Sequence, residues 1–179
     1  YGTTACCLKT MVIDRTAVIG FPVDHSLSPI IHNYWIKELG LNIKPYEKIS
    51  VDPGKFEEQI NNLKAEGYGG LNVTVPLKEL AFNISDEISD VSKKLKSVNT
   101  LSLSSEKING DNTDAVGFIN SLDKKTIEEN ITNKKTLVLG AGGSARSIVY
   151  ALNELGGQVR LFNRTTEKAA ILLNDLSIK

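Results

Sequence analysis

Apolar positions recur along this chain with two alternating spacings. Thr16–Gly20 (T-A-V-I-G) is a short apolar run of the kind a buried strand carries. Ile30, Ile31, Tyr34, Trp35 and Leu39 follow at helical spacing. Lys44–Ile49 fits a second strand, Phe56, Ile60 and Leu63 a second helical stripe, and Leu71–Val75 a third strand closed by Pro76. Ser28-Pro29 and Asp52-Pro53 mark the two helix starts, each pairing a capping residue with proline at the first helical position. Strand, helix, strand, helix, strand predicts a mostly parallel sheet with helical crossovers. Further on, Asp86–Lys96 reads as an amphipathic helix. Thr100–Ser104 reads as a short strand with Lys107–Gly110 as its hairpin partner, and Ala115–Leu122 as a helix.

The pattern then repeats in a tighter form. Thr136–Leu139 is an apolar run that stops at Gly140. Ile148, Val149, Leu152 and Leu155 give a helical face, which Gly156-Gly157 ends, as glycine takes the left-handed conformation past a helix end. Gln158–Phe162 reads as a second strand. A strand–helix–strand unit of about 30 residues is the size of a dinucleotide-binding half. Gly140 suits the tight turn off the strand, and Gly142 lets backbone approach a pyrophosphate. The helix N-terminus then offers free N–H groups to the anion. Ala145 stands where a third glycine often does. At the end of the second strand an NAD site usually has Asp or Glu, but this chain has Asn163-Arg164-Thr165, with Lys168 one turn on. Arginine can grip a 2′-phosphate that a carboxylate would repel, so the expected cofactor is NADP.

Composition narrows the partners. The 179 residues suffice for one large or two small domains. Lys+Arg and Asp+Glu are equal at 21 each, which gives no reason to expect nucleic acid or an anionic membrane as partner. No apolar run approaches the ~18 residues of a transmembrane helix. The only cysteines are the adjacent Cys6 and Cys7, with no C-x-x-C, which fits a reducing cytoplasm. His25 and His32 are the only histidines, so no zinc or other metal site is expected. Tyr1–Thr10 lacks the pattern of a signal peptide and reads as upstream remnant, with Met11 as the expected start.

Two segments of the first half carry polar side chains to places where ligands bind. Ser28 reads first as a helix cap, whereas Ser26 has no such duty. Asn72-Val73-Thr74-Val75-Pro76-Leu77-Lys78 delivers Thr74 and Lys78 to a strand's carboxyl end, where open α/β sheets bind ligands. Gly110-Asp111-Asn112-Thr113-Asp114 is a tight polar turn, and the domain boundary is expected near Asp114.

Taken in order, His25-Ser26-Leu27-Ser28-Pro29, Asn72–Lys78, Val98-Asn99-Thr100, Gly110–Asp114, Gly140–Ala145 and Asn163-Arg164-Thr165 resemble the shikimate dehydrogenases. The resemblance runs from about Ala17 to the chain's end. It implies an α/β fold with an N-terminal three-layer substrate domain (17–113) after a leader (1–16). A linking helix and an incomplete Rossmann-type NADP-binding domain (114–179) follow. It also implies NADPH-dependent reduction of 3-dehydroshikimate to shikimate, on the route to chorismate and the aromatic amino acids. Ser26 and Ser28 would bind the substrate carboxylate, and Thr74, Asn99 and Asp114 its hydroxyls. Lys78 would transfer the proton, paired with Asp114. Gly140, Ala141, Gly142, Gly143 and Ser144 would wrap the pyrophosphate. Asn163, Arg164, Thr165 and Lys168 would hold the 2′-phosphate, with Asp90 near the cofactor.

Members of that family continue for about a hundred residues beyond a point like Lys179, so the chain is expected to be a fragment, itself inactive. The expected partners are small molecules only, with the protein a monomer or homodimer. Two other readings are a quinate- or aminoshikimate-type dehydrogenase and a non-catalytic nucleotide-binding module. Lys78 and Asp114 in matching context count against the second, and Arg164 counts against NAD in the first.

Overall fold

A computed structural model of the chain describes residues 14–178. The start at Met11, the two cysteines and residues 1–13 of the expected leader lie outside the described residues, while Arg15 and Thr16, placed in that leader, belong to the first strand, where Thr16 pairs with Gly70. Residues 15–111 form a six-stranded sheet in the order β2-β1-β3-β5-β6-β4. Its strands are β1 (Arg15–Gly20), β2 (Glu47–Ser50), β3 (Tyr68–Val73), β4 (Glu87–Ile88), β5 (Thr100–Leu103) and β6 (Ile108–Asp111). β1 pairs in parallel with β2 and β3, and β4 with β6, while β5 runs antiparallel to both its neighbours. The β5–β6 hairpin is the one expected from the sequence. The expected helix over Asp86–Lys96 starts later, as α4 (Asp90–Leu95). Asp86 instead exchanges backbone and side-chain hydrogen bonds with Ile108, which starts β4. Ser89 then caps α4 by accepting from the Ser92 N–H at 3.2 Å.

Period two in the strands puts Ala17, Ile19, Leu71, Val73, Leu101 and Leu103 on one face. There they pack under α2 (Phe56–Ala65) and α3 (Lys78–Ile84), with Phe56, Ile60 and Leu63 as the buried stripe of α2. Asp52 caps the turn before α2 by accepting from the Gly54 N–H at 2.8 Å, as its position before Pro53 predicts. Ile60 is fully buried. Ile60→Ala would leave a cavity between α2 and the sheet and is expected to cost about 2–5 kcal/mol. Denaturant unfolding would read this as a lower midpoint at unchanged slope. The opposite face carries α1 (Ser28–Glu38), so the half has three layers. The apolar stripe of α1 does not become core: Ile30, Tyr34, Trp35 and Leu39 are all exposed among the described residues.

The second half holds a two-stranded parallel sheet, β7 (Lys135–Leu139) and β8 (Gln158–Phe162), joined by α7 (Ala145–Glu154). α8 (Thr166–Asp175) follows. Gly156 ends α7 with φ +77°, as the glycine pair predicts. Val149, Leu152, Val159 and Leu172 form its core. Between the halves lie α5 (Asp114–Asn120), the single helical turn α6 (Lys124–Thr126) and a π-helical turn (Ile127–Ile131). α5 packs on α7, and Leu95, Ala115 and Ala151 bury a small apolar seam where the two halves meet.

Candidate functional site

The carboxyl ends of β1 and β3 lie side by side, and the chain leaving each one carries candidate residues. After β1, the Phe21 N–H donates to the Val75 carbonyl at 3.2 Å, which ties the Ser26 loop to the segment after β3. Ser26 Oγ accepts from the Ser28 N–H at 3.3 Å. The sequence reading had these two serines in opposite roles. Ser28 is already the first helical residue, and the cap position is Leu27, which cannot cap. Ser26 therefore serves the free N–H at the start of α1, and the Ser28 hydroxyl makes no protein hydrogen bond among the described residues.

Thr74 follows β3, with its N–H bonded to the Ile19 carbonyl at 2.9 Å. Its methyl group lies against Gly20: a Cβ built there would sit 2.6 Å from Thr74 Cγ2. Gly20→Ala must therefore turn the Thr74 side chain. The expected result is a loss of about 1–3 kcal/mol of stability, the cost of forcing an extra methyl into a packed contact, read as a lower midpoint of denaturant unfolding.

Lys78, Asn99 and Asp114 form one network. Lys78 Nζ donates to Asp114 Oδ2 at 2.6 Å, and Asn99 Nδ2 donates to Asp114 Oδ1 at 2.7 Å. The Lys78 side chain is only 15% exposed and that of Asp114 31%, so the pair is shielded but reachable. Lys78 opens α3, Asn99 precedes β5 and Asp114 opens α5, so three separate elements converge on one carboxylate. The sequence singled out all three. It missed the buried Asn112 behind them, which bonds Ser97 and Asp114, and it did not register α3, whose seven residues follow Pro76 too closely for a clear period.

On the other half, Gly140 leaves β7 with φ +102°, the left-handed turn expected of it. The Ala141 N–H donates to Asn163 Oδ1 at 3.0 Å, and Asn163 Nδ2 donates to the Thr165 carbonyl at 2.7 Å. Asn163 thus fastens the glycine loop to the end of β8. Arg164, Thr165 and Lys168 are exposed beyond it. Side chains at Gly140 and Gly142 would enter open space. A cavity of about 280 Å³ lies between the halves, lined by Lys78, Gly142, Gly143, Arg146 and Lys168 among others. Asp90 does not line it; its side chain is 95% exposed and pairs with Lys93 at 3.5 Å.

Arg146 is a residue that sequence reasoning passed over. Nη2 donates to Asp175 Oδ2 at 2.9 Å, while Nη1 is buried with no partner among the described residues. Lys96, from the first half, and then Arg146 hold the Asp175 carboxyl below its ordinary range by hydrogen bonding. Of the cations lining the cavity, Lys78 and Arg146 are paired with Asp114 and Asp175, and Glu79 lines it too; the exposed Lys168 and the glycine loop at the start of α7 are what fit an anionic, phosphate-bearing ligand such as a dinucleotide. Among the described residues no cluster of His, Cys, Asp or Glu could hold a metal, and no helix is long and apolar enough to cross a membrane.

Known proteins resemble this chain in sequence and fold. Residues 18–101 match the family model of the shikimate dehydrogenase substrate binding domain. The chain is 44% identical over 155 residues to the shikimate dehydrogenase (NADP(+)) of Methylocella silvestris, covering 87% of this chain and 55% of that protein. It superposes on the crystal structure of shikimate dehydrogenase from Aquifex aeolicus with a TM-score of 0.84 at 40% identity, covering 93% of this chain and 61% of the other. The Thermus thermophilus shikimate 5-dehydrogenase, crystallised with NADP(H) and shikimate, gives a TM-score of 0.79 at 33% identity, covering 93% and 62%. The chain spans a little over half the length of the curated relatives it matches.

Proposed function

We propose, from the match of residues 18–101 to the shikimate dehydrogenase substrate binding domain and the likeness to whole shikimate dehydrogenases, that the whole protein is an NADP-dependent shikimate dehydrogenase. It reduces 3-dehydroshikimate to shikimate, reversibly, in the cytoplasm, on the route to chorismate and the aromatic amino acids. The single observation that carries the reading is the Lys78–Asp114 pair at 2.6 Å, braced by Asn99 and opening on the cavity beside the glycine loop.

NADPH, when bound, supplies the hydride. Negative charge then builds on the substrate's carbonyl oxygen, and Lys78 Nζ stabilises it and delivers a proton there. Asp114 orients the amine through one oxygen and is itself fixed by Asn99 through the other. In the reverse direction Lys78 takes the proton from the hydroxyl. Ser26 and Ser28 hold the substrate carboxylate near the start of α1, and Thr74 takes a ring hydroxyl. Gly140–Ser144 and the start of α7 take the pyrophosphate. Arg164, Thr165 and Lys168 take the 2′-phosphate, and Asn163 serves them by keeping the glycine loop in place. Asp90, exposed at the start of α4, is left a place near the cofactor only on the family resemblance.

A panel of shikimate and quinate with NADP⁺ and NAD⁺ on the whole protein, followed by absorbance of reduced nicotinamide, tests the reading. Turnover should be fastest with shikimate and NADP⁺. Faster turnover with quinate, or no turnover with any pair, would overturn it.

A further inference from the structure

We propose that Asn112 is a positioning residue for the Lys78–Asp114 pair, a role that rests on the function proposed above. Asn112 is 2% exposed, buried among the segments that carry the reacting side chains. Its Nδ2 donates to the Ser97 carbonyl at 3.0 Å, and its Oδ1 accepts from the Asp114 N–H at 3.0 Å. One carboxamide thus joins the backbone just before Asn99 to the backbone of Asp114 itself.

The partners on either side make that join consequential. Ser97, Val98 and Asn99 each hold a different part of the pair. The Ser97 carbonyl takes the Asn112 amide, and the Val98 N–H donates to the Lys78 carbonyl at 3.0 Å. Asn99 Nδ2 donates to the Asp114 carboxylate at 2.7 Å. The Asp114 N–H lies in the first turn of α5, where backbone donors have no partner within the helix. No side chain of the cap residue Thr113 serves that end, so Asn112 Oδ1 supplies the acceptor. The side chain therefore fixes where α5 begins, and with it where the Asp114 carboxylate stands relative to Lys78 Nζ. Asn112 is held in turn by the Asp111 carboxylate, which accepts its N–H at 2.7 Å. Asn112 touches neither reacting group and acts through backbone alone.

Removing the carboxamide frees the first turn of α5 and lets the carboxylate drift. A misplacement of about 1 Å can cost on the order of a hundredfold in rate. Other ties remain, among them the Asn99 N–H on the Asp111 carbonyl at 2.9 Å. The expected loss for Asn112→Ala is therefore about tenfold to a hundredfold in kcat.

The test is a double-mutant cycle in the whole protein, with Asn112→Ala and the milder Asn112→Ser each made alone and with Lys78→Met. Asn112→Ser removes the carboxamide but keeps a short polar side chain and adds no charge beside Asp111 and Asp114, so it guards against a fold too damaged to assay. NADP⁺ affinity by calorimetry counts the folded sites. The proposal predicts a kcat loss in the Lys78 background, NADP⁺ affinity within about twofold of the unsubstituted protein, and less than about twofold further loss once Lys78 is methionine. Equal losses in both backgrounds, or an unchanged kcat, would overturn it while leaving the function intact. No shikimate turnover in the unsubstituted protein would sink both.

Discussion

Lys78→Met in the whole protein is expected to lower kcat by about 10²–10⁴-fold with little change in KM, the size of effect for losing a general acid. Methionine keeps the length and apolar stem of the lysine and removes only the proton and the charge. The side chain opens α3 and is only 15% exposed, a setting an apolar methionine suits, so the fold should tolerate the change. What is lost is the donor 2.6 Å from Asp114, with the carboxylate left to Asn99. Steady-state kinetics in the direction of shikimate oxidation gives the split directly. A normal kcat with a raised KM would make Lys78 a binding residue and remove the proton step from the account.

Arg164→Ala should raise KM for NADPH about 10–100-fold and leave KM for NADH nearly unchanged. A charge-assisted contact to phosphate is worth about 1.5–3 kcal/mol, which sets that range. Arg164 is exposed directly beyond β8, next to Asn163, whose side chain is committed to the glycine loop. The arginine has no such commitment among the described residues. Equal losses with both cofactors would sink the assignment, since NADH has no 2′-phosphate to lose.

The parts of the fold that the sequence shows best are those where one period or one special residue decides the backbone. Phe56, Ile60 and Leu63 announce α2, Asp52-Pro53 its start, and Gly140 and Gly156 the two left-handed turns around α7. Lys78 and Asp114 are legible because each stands at a strand or turn end, yet their meeting at 2.6 Å depends on 35 intervening residues folding back. Tertiary pairing decides the rest. The β4 segment looks helical by period and is taken into the sheet by Ile108. The Ser26 and Ser28 roles invert because a hydroxyl two residues upstream can reach an N–H that the adjacent residue cannot. Asn112 and Arg146 carry no pattern at all. One is a buried amide between two backbones, and the other a guanidinium shared between a carboxylate and an unfilled bond.

A crystal structure of the whole protein with NADP⁺ and shikimate tests the central claim most directly. The account predicts a shikimate hydroxyl within hydrogen-bond reach of both Lys78 Nζ and the Asp114 carboxylate, with the substrate carboxylate at Ser26 and Ser28. Shikimate seated elsewhere, with the Lys78–Asp114 pair untouched, would contradict it.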